Sequence, residues 1–274
     1  MYLAKKNGRN GYAFYSPDLT DKSVSHVRIQ SALHQAIEKQ QLRLEFQPQY
    51  NLEQHAIVGV ETLLRWQHPE FGLVPPADFI PIAEKTGLIQ SIGEWVLLHA
   101  CQQGNAWLKQ GVEFGRIAVN VSALQLQQSN FIQRLSDILN QTGFPAQRLD
   151  LEITESFLLI DPQQAIASLN QLRGLGIEIS LDDFGTGYSS LSYLKGLPIN
   201  KLKIDRSFVS DVPSNSDSNA IVNAIIAMGK TLSLKVVAEG IETQEQADYL
   251  FEKGCVYGQG YLFSRPVSAE KLFR

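Results

Sequence analysis

Two rhythms of apolar and polar residues alternate along this chain. Period-two stretches predict strands over 42–47, 57–66, 116–121, 149–153, 177–182, 201–205, 234–239 and 255–258. Between them, apolar residues at helical spacing predict helices over 27–40 (Val27, Ile29, Leu33, Ile37), 76–86, 88–110, 123–142, 162–173, 188–195, 219–232 and 243–253. A turn joins the first two strands, so they are expected to pair antiparallel. Strands separated by helices in this number predict an α/β fold closed as a (β/α)8 TIM-like barrel, with the first strand antiparallel to the others. An open doubly wound sheet is the alternative closure.

The strands carry charge on one face. Leu149, Leu151 and Ile153 oppose Asp150 and Glu152; Ile177, Ile179 and Leu181 oppose Glu178, Ser180 and Asp182; Leu202 and Ile204 oppose Lys201, Lys203 and Asp205. The intervening helices need the apolar face to pack on, so the polar face lines the lumen. Charges there are costly unless paired or bound to metal. Arg43, Glu45, Asp150, Glu178 and Lys201 are candidates for structural pairing.

The residues nearest the C-terminal ends of the strands are Gln47, Glu61, Asn120, Glu152, Asp182 with Asp183, Lys203, Glu239 and Gln259. That rim is where barrel active sites sit. Its carboxylates, one amide and one lysine predict a metal site. Asp182 and Asp183 end their strand, where both can turn toward the mouth. The loop behind them contains Gly185 and Gly187. All five histidines (His26, His34, His55, His68, His99) precede residue 100 without ligand spacing, and an all-oxygen donor set favours Mg2+ or Mn2+ over zinc. The donors exceed what one octahedral ion takes from protein. Two ions about 3.5–4 Å apart, sharing Asp182, fit better and suit hydrolysis of a phosphodiester. Arg65 is the placed cation for an anionic substrate.

Composition narrows the partners. The 274 residues are 44% hydrophobic and 19% charged, with net charge −4, which argues against nucleic-acid polymers and anionic membranes. Cys101 and Cys255 lie far apart without CxxC spacing, which predicts reduced thiols in a reducing, cytoplasmic compartment. No apolar run approaches a membrane span and no signal-peptide pattern follows Met1. Residues 1–22 read differently from the rest. A helix end at Tyr2–Lys6 and a short strand at Gly11–Tyr15 cannot bury a core and look like the tail of another domain. The main domain is expected over 23–274.

Separated motifs across 27–274 resemble the EAL-domain cyclic di-GMP phosphodiesterases of bacteria. They are Phe46-Gln47-Pro48, Glu61-Thr62-Leu63-Leu64-Arg65-Trp66, Val119-Asn120-Val121-Ser122, Leu151-Glu152-Ile153-Thr154-Glu155, Asp182-Asp183-Phe184-Gly185-Thr186-Gly187, Lys203-Ile204-Asp205, Ala238-Glu239-Gly240-Ile241-Glu242 and Gly258-Gln259-Gly260-Tyr261. The head segment resembles the end of a GGDEF domain, which implies the C-terminal part of a tandem GGDEF–EAL protein whose upstream segments could tether it to a membrane.

The resemblance implies metal-dependent hydrolysis of cyclic di-GMP to pGpG. Glu61, Asn120, Glu152 and Asp182 would hold one ion, and Asp182, Asp183 and Glu239 would hold or orient the other. Lys203 would position water or stabilise phosphate charge, and Glu239 is the family's proposed general base. Gln47, Leu63 and Arg65 would contact the nucleotide, with Gln259 supporting by hydrogen bonding. Glu155 would anchor the 182–190 loop, coupling it to a homodimer contact near Tyr188, and Glu242 would stand behind the ligands. Ca2+ is expected to inhibit. The signature departs from its family at Thr62, where Ala is usual. Thr62 is expected to point away from the Glu61 face with little effect. The alternative function is a silent cyclic di-GMP sensor, whose mark would be loss of a ligand, the lysine or the post-aspartate loop; none is lost.

Overall fold

The computed structural model describes residues 27–273 except 156, 158–161, 186–193 and 195. The head segment 1–22, the expected helix at 188–195 apart from Leu194, and most of the glycine loop lie outside the described residues.

The chain opens with helix α1 (27–33), which gives way to turns over 34–40 instead of the helix expected there. Past Leu33 the amides of Gln35 and Ala36 bond three residues back, to Ala32 and Leu33, and the sequence turns polar. Strands β1 (Leu42–Asn51) and β2 (Ala56–His68) form an antiparallel hairpin. A short strand missed in the sequence, β3 (Gly72–Val74), pairs with the end of β2. Helices α2 (Pro76–Thr86) and α3 (Ile89–Lys109) precede β4 (Arg116–Asn120). The single helix expected over 123–142 is two, α4 (Ala123–Leu126) and α5 (Phe131–Thr142), parted by the polar run Gln127-Gln128-Ser129-Asn130.

The remainder alternates: β5 (Leu149–Thr154), α6 (Pro162–Gly174), β6 (Glu178–Phe184), β7 (Lys201–Ile204), the short α7 (Arg206–Val209), α8 (Ser216–Thr231), β8 (Lys235–Ala238), α9 (Gln244–Glu252), β9 (Tyr257–Gly258) and the short α10 (Ala269–Leu272). The sheet order is β1-β9-β8-β7-β6-β5-β4-β2-β3, and pairing of β1 with β2 closes it. The result is an eight-stranded barrel with β3 appended. β1 is antiparallel to both neighbours, β2 and β9, while the other barrel pairs are parallel.

The outward face of the barrel carries Leu149, Leu151, Ile153, Ile177, Ile179, Leu181, Leu202 and Ile204, all buried beneath the helices. Near the end of β2, Trp66 is fully buried. Its ring meets Phe79 edge-on at 5.5 Å, and its indole N–H donates to Gln41 at 3.0 Å, so the polar tip is satisfied where the ring is dry.

A charged layer lies on the inward face near the N-terminal ends of the strands. Lys201 Nζ is 2.5 Å from Asp150 and 3.5 Å from Glu178, and Ser180 Oγ donates to both Asp150 oxygens at 2.8 Å. Arg116 and Lys235 approach Glu178 from outside at 3.2 and 3.3 Å. All five residues expected to pair structurally do pair; Glu45 meets Arg43 at 3.1 Å and Arg65 at 2.8 Å.

Lys201→Met should lower unfolding stability in urea by about 3–5 kcal/mol, because it leaves the fully buried Asp150 without its cation, with only the Ser180 hydroxyl donating to it. A loss under about 1 kcal/mol would show that the layer is solvated rather than sealed.

Candidate active site

One layer above that network, Lys203 stands with its side chain only 1% exposed. Its Nζ is 2.6 Å from Glu239 Oε1, 2.8 Å from Glu152 Oε2, 3.2 Å from Asp182 Oδ2 and 3.9 Å from Glu61 Oε1. These contacts are ion pairs, since neither Nζ nor Glu152 Oε2 finds an aligned hydrogen bond. Glu61 is fixed by two amides: Asn120 Nδ2 donates to Oε1 at 2.8 Å and Gln259 Nε2 to Oε2 at 2.6 Å. Gln259 Nε2 also reaches Gln47 Oε1 at 2.9 Å, and Gln47 Nε2 donates to the Ser264 carbonyl at 3.0 Å.

Strand register explains the convergence. Gln47 sits opposite Glu61, and Asn120 opposite Glu152. Glu61 is not at a strand's end, as the sequence suggested. It lies inside β2, which continues to His68 because its last residues pair with β3. The adjacent aspartates likewise do not terminate their strand. β6 runs on through Phe184, and between Leu181 and Phe184 its register slips by one residue against β7. This is a β-bulge. Asp183 takes φ 54°, a left-handed conformation that an aspartate tolerates better than most residues. The bulge, not a fraying end, lets neighbouring carboxylates approach one site.

A cavity of about 600 Å³ opens beside the cluster, lined by Gln47, Glu61, Leu63, Glu239, Glu242 and Tyr261 among others. A second, of about 330 Å³, lies toward α2 and α3 and is lined by Leu63, Arg65, Ile80, Asn120, Ser122 and Glu152 among others. Leu63 borders both. Arg65 shares its charge with Glu45, and its Nη1 donates to the Leu64 carbonyl at 3.0 Å. Glu155 is buried, with neither carboxylate oxygen hydrogen-bonded. Its loop-anchoring role concerns residues outside those described. Thr62 is also buried and its hydroxyl has no partner. Gln49 escaped the sequence reading. It is buried in the lumen and its Nε2 donates to Glu152 Oε1 at 3.4 Å. Its place two residues beyond Gln47 on the same face of β1 was the available signal.

The charges shift one another. Burial pushes Lys203 down, but Asp182, Glu152, Glu239 and Glu61 together hold it well above its ordinary value, so it is charged. Burial drives Glu152 well up, helped by repulsion from Glu61, Asp182 and Asp150 against the pull of Lys203. Burial, then the charges of Asp182 and Glu61, carry Glu239 to about 8 despite Lys203. Asp183 is raised by burial and by Asp182 and Asp205. Glu61 is lowered. Burial opposes this, but Lys203 and the amides of Gln259 and Asn120 outweigh it.

Among the described residues no three His, Cys, Asp or Glu side chains are close enough, as placed, to hold an ion; the Lys203 ammonium lies between the carboxylates. The donor chemistry nevertheless fits a hard divalent cation. The donors are oxygens, the five carboxylates outnumber the one lysine, and Glu152 Oε2 is a buried oxygen left without an aligned donor. Among the described residues, no helix is long and apolar enough to cross a membrane.

The family model that matches is the EAL domain, over residues 30–266. The chain is 46% identical over 272 residues to the bifunctional diguanylate cyclase/cyclic di-GMP phosphodiesterase MucR of Pseudomonas aeruginosa, covering 99% of this chain and 40% of MucR. It is 43% identical over 272 residues to the signaling protein YkoW of Bacillus subtilis, covering 99% of this chain and 34% of YkoW. The chain thus spans well under half the length of these relatives. Among solved structures, a MucR phosphodiesterase in complex with c-di-GMP superposes with TM-score 0.87 at 47% identity, covering 90% of this chain and all of that one. The FimX EAL domain of Pseudomonas aeruginosa bound to c-di-GMP gives TM-score 0.79 at 27% identity, covering 87% and 96%.

Two measurements test this electrostatic picture. Glu239 binds its proton more tightly folded, at about 8, than unfolded, near the ordinary 4.5. Its contribution to stability is therefore present below about 4.5 and lost as pH rises through about 8. Metal-free protein should melt at progressively lower temperature from about pH 5 to about pH 8, and Glu239→Gln should flatten that decline; parallel profiles would remove Glu239 as its source. Thr62→Val, which keeps the shape and deletes an unpartnered buried hydroxyl, should raise unfolding stability by about 1 kcal/mol in urea melts.

Proposed function

Because this chain belongs to the EAL domain family, we propose that it hydrolyses cyclic di-GMP to linear pGpG with divalent metal ions. One observation carries the reading: Glu61, Asn120, Glu152, Asp182 and Glu239 gather around Lys203 beside a cavity of about 600 Å³. Relatives named as cyclic di-GMP phosphodiesterases, MucR and the 42% identical NbdA of Pseudomonas aeruginosa, supply the substrate.

Glu61, Asn120, Glu152 and Asp182 would hold one Mg2+ or Mn2+, and Asp182, Asp183 and Glu239 the other. When bound, such ions supply an activated water and neutralise phosphate charge. The chain's own residues do the rest. Lys203 keeps its proton and offers a fixed positive charge to the phosphate oxygens as negative charge builds there. Glu239 holds a proton at neutral pH in the metal-free protein, at about 8; it would lose that proton to a cation bound beside it, and the carboxylate is then able to take one from the attacking water. The water oxygen adds to phosphorus as the bond from phosphorus to the ribose 3′ oxygen breaks; the departing oxygen takes a proton from solvent to become the 3′ hydroxyl of pGpG, and Glu239 returns the proton it took to solvent. Gln259 and Asn120 keep Glu61 ionised and aimed. The substrate's two guanosines would lie on either side of Leu63, one in each cavity, with Arg65 and Gln47 contacting the nucleotide. Glu242 lines the larger cavity and would support its ligands, and Glu155 would anchor the loop after Asp183.

The wider protein is proposed to carry a GGDEF domain ahead of residues 23–274. The alignment with the bifunctional MucR runs over 272 residues, beyond the 30–266 of the family model, which supports assigning residues 1–22 to that domain's end. We place the protein in the cytoplasm as a homodimer.

Purified protein supplied with Mg2+ or Mn2+ should convert cyclic di-GMP to pGpG, Glu61→Ala should reduce turnover to background, and Ca2+ should inhibit because its longer, looser coordination misplaces the water. Binding without turnover under all these conditions would leave the sensor reading in its place.

A further inference from the structure

Lys203 accounts for one oxygen of Glu152 and leaves the other to be held elsewhere. Oε2 faces the ammonium at 2.8 Å, while Oε1 receives the side-chain amide of Gln49 at 3.4 Å in a buried contact. Gln49 belongs to β1 and Glu152 to β5, with β2 and β4 between them around the barrel. The amide therefore crosses the lumen to reach its acceptor.

It can do so because its partner across the β1–β2 ladder is Gly59. A methyl group at 59 would stand 2.6 Å from Gln49 Oε1 and 3.4 Å from its Cδ. Gly59 is not among the residues with left-handed φ, so the backbone accepts alanine. What excludes a side chain here is the path of the glutamine.

The choice of an amide has a physical logic. Glu152 is repelled by Glu61, Asp182 and Asp150, and a carboxylate with that surrounding turns away unless held. A lysine or arginine in place of Gln49 would hold it, but would add a charge competing with any cation. The amide donates without adding charge.

We infer that Gln49, given room by Gly59, is a positioning residue that fixes the orientation of Glu152 for metal binding. The inference rests on the two-metal reading above. Partners standing behind a metal ligand are typically worth about 10–100-fold in metal affinity.

The test is calorimetric titration of Mn2+ into wild type, Gln49→Ala, Gly59→Ala and the double variant, with circular dichroism melts to confirm folding. Each single variant should weaken Mn2+ binding by about tenfold. The double variant should bind no more weakly than Gln49→Ala, because alanine at 59 then has no amide to displace. Wild-type affinity in Gln49→Ala, or penalties that add in the double variant, would overturn the inference while leaving the metal site standing. A wild type that takes up no Mn2+ would overturn the metal reading and the inference with it.

Discussion

A single buried ammonium holds the upper barrel together. Lys203 is almost fully enclosed, and its burial by itself works against the charged form. The carboxylates of Glu61, Glu152, Asp182 and Glu239 could not be crowded into the same space without a positive charge between them. Each side makes the other possible. The carboxylates arrive on β2, β5, β6 and the end of β8, so the charge balance requires those strands in one register. Stability and site are here the same set of contacts.

The lumen is built in two ionic storeys. In the lower one, Asp150 accepts three contacts from Lys201 and Ser180, and Glu178 is paired with Lys201, Arg116 and Lys235, so each carboxylate has at least one cation beside it. The upper one is short of cations by the same count, and burial together with mutual repulsion raises Glu152 and Glu239 above the ordinary carboxylate range. A divalent ion entering there would displace protons and relieve repulsion together. That difference between adjacent layers separates scaffold from chemistry more sharply than residue type does, since both are made of Asp, Glu and Lys.

Much of this was legible from alternation along the strands. Period two in 149–153, 177–182 and 201–205 put Glu152, Asp182 and Lys203 on one face, and closure of the barrel made that face the lumen. What escaped depended on pairing between strands. The bulge that brings Asp183 beside Asp182 exists only relative to β7. Glu61 reads as a rim residue although the strand expected over 57–66 already runs past it; its level in the barrel is set by pairing with Gln47 and Ala118 on the neighbouring strands. Arg65 read as a placed cation; that it also pairs with Glu45, on a different strand, could not be seen along the sequence. Gln49 carries the same alternation signal as Gln47, but it lies past the strand expected over 42–47, and its contact with Glu152 on β5 exists only once the barrel closes.

The reversed direction of β1 has a consequence for connection. In a barrel whose strands all run one way, the chain enters at the floor, remote from the chemistry. Here Leu42, the first residue of β1, is level with Trp66 near the end of β2, on the side of the catalytic mouth. Helix α1 is fastened at that same end, with Arg28 paired to Glu70 and lying over the Phe71 ring. Any polypeptide upstream thus joins the barrel on the same side as the carboxylate-lined cavity, not at the opposite floor.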